Sequence, residues 1–465
     1  LNIGGNNRLA TNAVLSNSPG ASLNLAGYNQ QLAGLYGSGY VTNTSGTTST
    51  ITLNIGASTN DTFGGSILGK TALTKSGNGT LTLSGSNGYT GVTTVNAGQL
   101  AATASNAIGT NALSIGGGSF NYAVGSSTLT LAGLTLSGNA GIFLTNYSAI
   151  TNTGSVNVTG SGNSITLLGS WTNLGSNTLI SGSSLTGAGV SSLTLSNSAF
   201  GSLALGSTFT NGHTAYTFNS NSTALYLNAT YATLSLLWNG GAAGDWNTTS
   251  TNWVTLNGGA SNTFANMDSV TFGTNATVTV TTNVTATLLA ITNGSGTLSF
   301  SGSNVAAYTF TNSGSGALVM SNNLSVYTAM AITGTNYSEF DGNITSSNAA
   351  LIMSGGGTLV LNGSNVFSGL ILNNGVTVAG GSNALGNGMV SLGATLVSGT
   401  NGLVLTNSFI LPASAIIGGT NSLTLNGGIT GGASLEKAGT STLTLGGTNT
   451  YLGSTLIDSG TVLLT

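Results

Sequence analysis

The sequence predicts an all-β fold in which parallel strands stack coil upon coil, that is, a β-solenoid. Three observations predict it. Only eleven of the 465 residues have charged side chains, four Lys or Arg and seven Asp or Glu. Apolar and polar residues alternate along short segments such as Leu81-Thr82-Leu83. Similar segments recur along the chain, which indicates that one structural unit is used repeatedly.

Stacking explains the shortage of charge. When each coil lies on its predecessor, equivalent strands are about 4.8 Å apart. A charge that recurs in every coil would face its own copy, and two like charges at that spacing repel by about 3 kcal/mol at an effective dielectric constant of ~20. Asn, Ser and Thr both donate and accept hydrogen bonds, so their copies can form ladders without this repulsion.

The alternation has a period of two, which is typical of strands. In Leu81-Thr82-Leu83 and Leu443-Thr444-Leu445 both Leu side chains point to one side, which in a β-solenoid is the interior. Hydrophobic residues make up 39% of the chain, so it can bury a core and differs from disordered low-complexity sequences. Coils of roughly 20–25 residues would give about twenty of them, which predicts a single elongated rod.

Composition excludes several classes of protein. There is no Cys, hence no disulfide and no thiolate metal site. No apolar run approaches the ~18 residues that would span a bilayer. Four basic residues do not form the patch that nucleic-acid binding needs. The chain begins at Leu1 and stops inside a strand-like run at Thr465, so we interpret it as a mature or excised piece of a longer protein, with a protomer whose ends are completed by its neighbours as the alternative.

Three segments of the chain share one long motif. They start at Leu73, Leu351 and Leu435, and each has an L-x-L strand, a glycine-containing turn and an aromatic residue. A Lys recurs in two copies as Lys75 and Lys437, and we expect both at the surface. The positions with expected structural roles are Leu81, Leu83, Gly85, Asn87, Tyr89, Gly91, Leu359, Leu361, Phe367, Leu443, Leu445, Asn449 and Tyr451.

The turn residues of the motif have distinct expected roles. Gly85 and Gly91 lie between strands, where a corner needs a positive φ or a close approach of backbone segments. Asn87 and Asn449 are expected in the left-handed region, which Asn tolerates. The aromatic residue that follows is expected to form a stack at one corner, with exposed rings for sugar binding as the alternative.

This motif resembles the autotransporter-associated β-strand repeat, also called the passenger-associated transport repeat. Its pattern is close to L-x-K-x-G-x-G-T-L-x-L-x-G-x-N-x-Y-x-G-x-T-x-I/V-x-x-G-x-L. The copy that starts at Leu73 fits nearly everywhere, whereas the copy at Leu351 has Met353 in place of Lys. The resemblance implies a right-handed parallel β-helix in a secreted, cell-surface protein of a Gram-negative bacterium. It also implies a stalk or spacer role and supplies no catalytic residues.

A tryptophan-rich segment begins near residue 236. It is similar to the segment that opens many such repeat regions through Trp238, Trp246, Trp253, Phe264, Asp268 and Val270-Thr271-Phe272-Gly273. We therefore predict two repeat units, 1–235, truncated at its start, and 236–465. Packing over the end or side of the helix is the expected role of the three Trp residues, and a sugar-binding platform is the alternative.

Few residues are candidates for chemistry. His213 is the only His, and nothing marks a Ser or Asp as its partner, so a solvated loop is expected. Glu339 and Asp341 share a face of a strand and could serve a glycosidase or a weak cation contact, but no basic residue is near them in sequence. Seven scattered acids cannot supply a carboxylate in each of several turns, so no calcium site, other metal or cofactor is expected.

These features predict an extracellular structural β-solenoid. It would be a stalk, surface fibre or filament subunit that assembles with itself, head-to-tail or laterally, by coil-on-coil stacking. The alternative is an adhesin passenger that binds glycans or host surfaces. A polysaccharide-cleaving β-helix enzyme is a third candidate, and we expect no enzyme activity. The expected location is outside the cell or anchored at the outer membrane of a Gram-negative-type bacterium.

Overall fold

The computed structural model describes residues 1–346 and 348–465. In this part of the chain there is no α-helix, and one short 3-10 helix lies at Val190–Ser192. The chain divides into two compact units, Leu1–Ala232 and Thr233–Thr465. Both consist mainly of parallel strands that form β-solenoid turns, about 22 in all. The predicted all-β solenoid is therefore confirmed.

The first unit contains 28 strands. They are β1 (Val14–Asn17), β2 (Ser22–Asn24), β3 (Gln30–Leu32), β4 (Gly34–Gly37), β5 (Tyr40–Asn43), β6 (Ser49–Asn54), β7 (Asn60–Phe63), β8 (Ser66–Gly69), β9 (Thr71–Ser76), β10 (Thr80–Leu83), β11 (Gly88–Tyr89), β12 (Thr93–Val95), β13 (Gln99–Ala102), β14 (Leu113–Gly116), β15 (Ser119–Tyr122), β16 (Thr128–Leu131), β17 (Leu134–Ser137), β18 (Gly141–Thr145), β19 (Ala149–Asn152), β20 (Val156–Thr159), β21 (Ser164–Leu168), β22 (Gly175–Ser181), β23 (Leu185–Thr186), β24 (Thr194–Asn197), β25 (Gly201–Ala204), β26 (Thr208–Asn211), β27 (Thr214–Ser220) and β28 (Ala224–Tyr231).

The second unit contains the strands β29 to β57. They are β29 (Ser235–Trp238), β30 (Ala243–Trp246), β31 (Trp253–Thr255), β32 (Ser261–Asn262), β33 (Ser269–Phe272), β34 (Ala276–Val280), β35 (Val284–Ile291), β36 (Thr297–Gly302), β37 (Val305–Asn312), β38 (Ala317–Met320), β39 (Leu324–Ile332), β40 (Tyr337–Phe340), β41 (Ile344–Ser346), β42 (Leu351–Met353), β43 (Thr358–Leu361), β44 (Val366–Phe367), β45 (Leu370–Leu372), β46 (Val376–Ala379), β47 (Val390–Leu392), β48 (Thr395–Ser398), β49 (Leu403–Leu405), β50 (Phe409–Leu411), β51 (Ala415–Gly418), β52 (Leu423–Leu425), β53 (Ile429–Gly431), β54 (Leu435–Lys437), β55 (Thr442–Leu445), β56 (Thr455–Ile457) and β57 (Thr461–Leu464).

In the first unit, consecutive strands lie in different sheets and strands one turn apart pair in parallel. Strand β9 belongs to an eight-stranded sheet, β10 to a ten-stranded sheet and β11 to a four-stranded sheet, and β12 returns to the sheet of β9. A six-stranded sheet that begins with β16 completes the unit. Equivalent side chains are aligned from turn to turn, as shown by the pairing of Leu81 with Leu100.

The second unit is built in the same way from sheets of 14, 11 and four strands. Its register is regular, because Leu403 pairs with Leu423 and Leu423 pairs with Leu443. One turn there contains 20 residues, as the numbering of these pairs shows. The strands alternate buried and exposed side chains, so each turn adds inward-facing Leu, Ile, Val or Phe residues to a continuous core.

Glycines allow the corners of successive turns to approach closely. A Cβ added at Gly85 would lie 2.2 Å from the carbonyl oxygen of Gly65 in the turn before it, closer than atoms can approach. At Gly98 both reasons apply, because a Cβ would lie 2.3 Å from the carbonyl oxygen of Gly79 and because its φ of 64° lies in the left-handed region. Both of the proposed reasons for glycine therefore occur within one repeat copy.

Antiparallel strands interrupt the parallel pattern in both units, which the sequence analysis did not predict. In the first unit β24 pairs antiparallel with β25, and β26, β27 and β28 form antiparallel pairs. In the second unit β29, β31 and β32 do the same ahead of the first parallel turns. Such segments cover the outer strands of a sheet, whose unpaired backbone groups would otherwise be open.

Charge at the surface is even scarcer than the composition suggests. Of the eleven charged residues, four are buried, namely Asp61, Lys75, Asp268 and Lys437. In two of the three motif copies the residue between the leucines is Thr, at Thr82 and Thr444, and both are only partly exposed. The sides of the solenoid turns therefore present hydroxyl and amide groups with very few ions.

Candidate functional site

The motif leucines all belong to the core. Each of the six L-x-L leucines has at most 4% of its surface exposed, and they are Leu81, Leu83, Leu359, Leu361, Leu443 and Leu445. Thr82 and Thr444 lie between the leucines of two pairs and face away from the core, whereas Val360 of the third pair is buried as well. These positions build the interior of the turns and leave no side chain of the pair free to meet a ligand.

The motif Asn connects neighbouring turns. The Ile67 amide donates a hydrogen bond to Asn87 Oδ1 (2.7 Å), and Asn87 Nδ2 donates to the Ala107 carbonyl (2.5 Å), so one side chain bridges the turns before and after its own. Asn365 makes the same two kinds of bond. The expectation of a left-handed backbone was wrong, because neither Asn87 nor Asn449 has a positive φ. Asn is required here for its amide.

Replacing Asn87 with Ala should lower the free energy of unfolding of the first unit by about 2 kcal/mol, because buried backbone groups of two turns lose their partners. Chemical denaturation followed by circular dichroism measures this loss. Asn96→Ala is the matched control, since Asn96 is exposed and its side chain has no hydrogen bond within the described residues. Equal midpoints for the two variants would contradict the bridging role.

The aromatic residues of the three motif copies do not contact one another. Tyr89 is 1% exposed and shares a hydrogen bond with Thr93 at 2.6 Å, Phe367 is 4% exposed, and Tyr451 is partly buried. No ring pair in the described residues includes any of the three, so the predicted stack at one corner was wrong. The copies are separated by other turns, and each ring fills its own corner.

The two repeated lysines lie in the interior, so their expected surface placement was wrong. Lys75 is fully buried and its Nζ donates to the carbonyls of Ser76 and Gly77, both at 2.8 Å. Lys437 is 1% exposed and donates to Ala438 and Gly439 in the same way. Each amine therefore holds the turn that follows its own strand.

Burial has an electrostatic consequence for these amines. Desolvation lowers the pKa of Lys75 to about 8, and the nearby Asp61 carboxylate opposes this effect only in part. Desolvation also lowers the pKa of Lys437. In the copy that begins at Leu351 the equivalent position holds Met353, which is buried as well. The motif thus accepts either an amine or an apolar side chain at this interior position.

The three tryptophans form a packed cluster. Trp238, Trp246 and Trp253 are 4%, 0% and 0% exposed. The rings of Trp246 and Phe264 meet edge to face with centroids 5.4 Å apart, and Trp246 also lies 5.5 Å from Phe272 of the first parallel turns. A sugar could not stack on these indoles without unfolding the segment, so the alternative of a sugar platform at these residues is incorrect.

Asp268 is a structural residue whose role the sequence analysis missed. Its buried carboxylate accepts hydrogen bonds from the Leu234 amide (2.7 Å) and the Ala265 amide (2.9 Å). It therefore fixes the chain on both sides of the tryptophan cluster. The signal was present in the sequence, because Asp268 opens the D-x-V-x-F-G segment, but the spacing alone does not show that the carboxylate faces inward.

The acidic candidates for catalysis, Glu339 and Asp341, accept hydrogen bonds from the neutral side chains of Ser321, Tyr337 and Asn362. Glu339 and Asp341 both accept hydrogen bonds from Asn362 Nδ2, at 3.1 and 2.8 Å. Tyr337 donates to Glu339, and burial with this neighbouring carboxylate raises the pKa of Tyr337 to about 12. The ring of His213 stacks on Tyr231 with centroids 5.6 Å apart. Within residues 1–346 and 348–465 no group of three or more His, Asp or Glu residues could hold a metal ion.

A comparison with family models decides the nature of the motif. The model of the passenger-associated transport repeat matches residues 73–102, 351–382 and 435–464. The chain carries three passenger-associated transport repeats. Neither the curated proteins nor the solved structures include a match to it. Passenger-associated transport repeats occur in autotransporter passenger domains, which implies a secreted or cell-surface protein, and the repeats together with the solenoid fit a passenger-type domain.

The passenger-associated transport repeats do not keep to one face of the solenoid. In the copy at Leu351, strand β42 lies in the 14-stranded sheet and β43 in the 11-stranded sheet. In the copy at Leu435, the equivalent strands β54 and β55 lie in the 11-stranded and four-stranded sheets. The same motif is therefore compatible with different faces.

Among residues 1–346 and 348–465 there is no apolar helix of membrane-spanning length.

Proposed function

We propose that this chain is a structural passenger segment, a stalk or fibre element displayed outside the cell of a Gram-negative-type bacterium, and that it has no enzymatic activity. The single observation that carries the proposal is the use of the repeat residues. The recurring Leu, Asn, aromatic and Lys side chains pack or form hydrogen bonds within the solenoid turns. A repeat whose recurring residues serve only folding is suited to setting length.

Two further features support a spacer. Turns of 20 residues follow one another in register, so length can be added in regular steps. The surface carries few charges, so neighbouring solenoids repel one another little. Exposed Thr, Ser and Asn side chains keep this surface hydrated, and they can also form hydrogen bonds with a neighbouring solenoid.

Deleting one whole turn, residues 403–422, should give a folded protein, because Leu423, Ile429 and Leu435 then take the places of Leu403, Phe409 and Ala415. Deleting only residues 403–412 should prevent folding of the second unit, since its later strands lose their register. Circular dichroism and limited proteolysis distinguish the two variants. Equal damage by both deletions would argue against interchangeable turns and thus against a length-setting role.

Coil-on-coil assembly is the second part of the proposal. The last described turn exposes Leu456, Ile457, Leu463 and Leu464, which are between 50% and 73% exposed. A further coil, of the same polypeptide or of a second copy, would cover them as β14 and β15 cover β12 and β13. Electron microscopy of concentrated protein should then show filaments, and isolated short particles at every concentration would contradict self-assembly.

A further inference from the structure

A groove lies on the outside of the ten-stranded sheet of the first unit, where β10, β13, β15 and β18 follow one another. It is a shallow, open depression with a volume of about 450 Å³. Residues Thr80, Gln99, Ser119 and Gly141 are direct register partners across these strands, so the groove runs across four turns. The side chains at these partner positions become smaller from Gln99 to Ser119 to Gly141. The groove lies where side-chain volume is missing.

Amide side chains surround this groove without being used by the fold. Asn78, Gln99 and Asn139 line it, and none of their side-chain amides makes a hydrogen bond within the described residues. This contrasts with Asn87, whose amide is fully engaged between turns. Each free amide offers two donor hydrogens and an acceptor oxygen, so the rim can pair with a ligand that both donates and accepts.

One side of the groove is formed by an aromatic ring, that of Phe143. Phe143 is half-buried, lines the groove, and points outward from a strand whose alternate residues Ile142 and Leu144 enter the core. A ring face next to unpaired amides suits a ligand with one apolar face and a polar edge.

No charged residue lines this groove, all of which lies within residues 1–346. A nucleotide or an anionic polymer would have no cation to meet, and a lipid chain would leave the amides without partners. A pyranose fits both requirements, because its axial C–H groups pack on an aromatic ring while its hydroxyl groups donate and accept.

We propose that this groove binds a neutral carbohydrate. A sugar ring stacks on Phe143, and its hydroxyls pair with the amides of Gln99, Asn78 and Asn139. Because the groove crosses four turns, it accommodates a short segment of a chain rather than one isolated ring. The proposal adds an interaction to the structural role and does not depend on it.

Affinity electrophoresis of the full chain tests this proposal, in gels that contain dextran, mannan, xyloglucan or soluble starch. At least one of these neutral polysaccharides should retard the protein. Phe143→Ala should weaken the retardation about tenfold, as expected for the loss of an aromatic stacking partner. Phe143→Tyr should retain it, because the ring face remains. Gln99→Ala and Asn78→Ala should each weaken it several-fold.

Tyr308→Ala is the matched control, since Tyr308 is an exposed aromatic residue outside the groove, and it should leave retardation unchanged. Thermal unfolding of every variant separates loss of binding from loss of fold, and the Gln99 and Asn78 variants keep the test valid if Phe143→Ala unfolds. No retardation by any neutral polysaccharide would overturn the proposal. So would retardation that survives all three Ala variants, or that occurs only with anionic alginate.

Discussion

Trp246→Ala should lower the free energy of unfolding of the second unit by about 3–5 kcal/mol, the usual cost of removing a large aromatic side chain from a core. Trp246 is fully buried and contacts four aromatic rings, those of Trp253, Phe264, Phe272 and Phe300. The cavity would open where the tryptophan cluster meets the first parallel turns. Urea denaturation, monitored by circular dichroism, measures the effect.

Trp246→Phe is the control for this prediction. The indole Nε1 of Trp246 has no hydrogen-bond partner among the described residues, so Phe loses packing volume but no hydrogen bond. We expect less than half of the destabilisation seen with Ala. If Trp246→Ala unfolded at the same urea concentration as the parent protein, the packing of the tryptophan cluster would not contribute to the stability of the second unit.

The second large effect concerns the buried amine. Lys75 has a pKa of about 8 in the folded chain against an ordinary value of 10.5, so the folded state disfavours the charged form. This cost is fully present below pH 8 and disappears as the pH rises through 8 to 10.5, so stability rises across that window. The shift corresponds to about 3 kcal/mol, at about 1.4 kcal/mol for each pKa unit.

Lys75→Met should therefore stabilise the first unit by about 1–3 kcal/mol at pH 7, since an apolar side chain often replaces a buried charge without loss. It should also remove the rise in stability between pH 8 and pH 10.5. Met353→Lys should do the reverse in the second unit, because it places an amine at the equivalent interior position. Denaturation midpoints measured at several pH values report both effects.

The informative quantity is the difference between each variant and the parent protein, because titrations that both proteins share then cancel. Lys70→Met is the control, since Lys70 lies five residues away and is exposed. It should leave the midpoint at pH 7 unchanged. A Lys75→Met protein that is less stable than the parent at pH 7 would show that the bonds from Nζ to the turn carbonyls outweigh the cost of burial.

The fold could be predicted from the sequence because its main determinants are local and repeated. The Leu81 and Leu83 alternation specifies a strand, and recurrence of the motif specifies stacking. The errors concern residues whose role depends on the neighbouring turn. Asn87 meets Ile67 and Ala107, each 20 residues away, and no local rule for turns contains that information. The surface prediction for Lys75 rests on the general rule that charged side chains are exposed, whereas its amine is buried against carbonyls of the following turn.

The candidate site was harder to predict for the same reason. The groove beside Phe143 is formed where four turns align, and its residues are spread over more than 60 positions from Asn78 to Phe143. Neither Gln99 nor Ser119 belongs to a recognisable binding motif. The three tryptophans are close together in the sequence, which is compatible with a sugar-binding platform, whereas in the structure they are packed in a core. Abundance of aromatic residues in a sequence does not indicate which ring faces remain accessible.

The presence of equivalent repeat copies on different faces couples the length of a solenoid to its orientation. Adding a whole turn moves everything downstream along the axis and leaves its direction unchanged. Adding a part of a turn instead moves every downstream strand to a neighbouring side of the coil, and the chain folds only where the strands of that side can pair with it in register. A lineage that gains or loses such segments can thus redirect a surface feature around the axis without changing any residue in that feature.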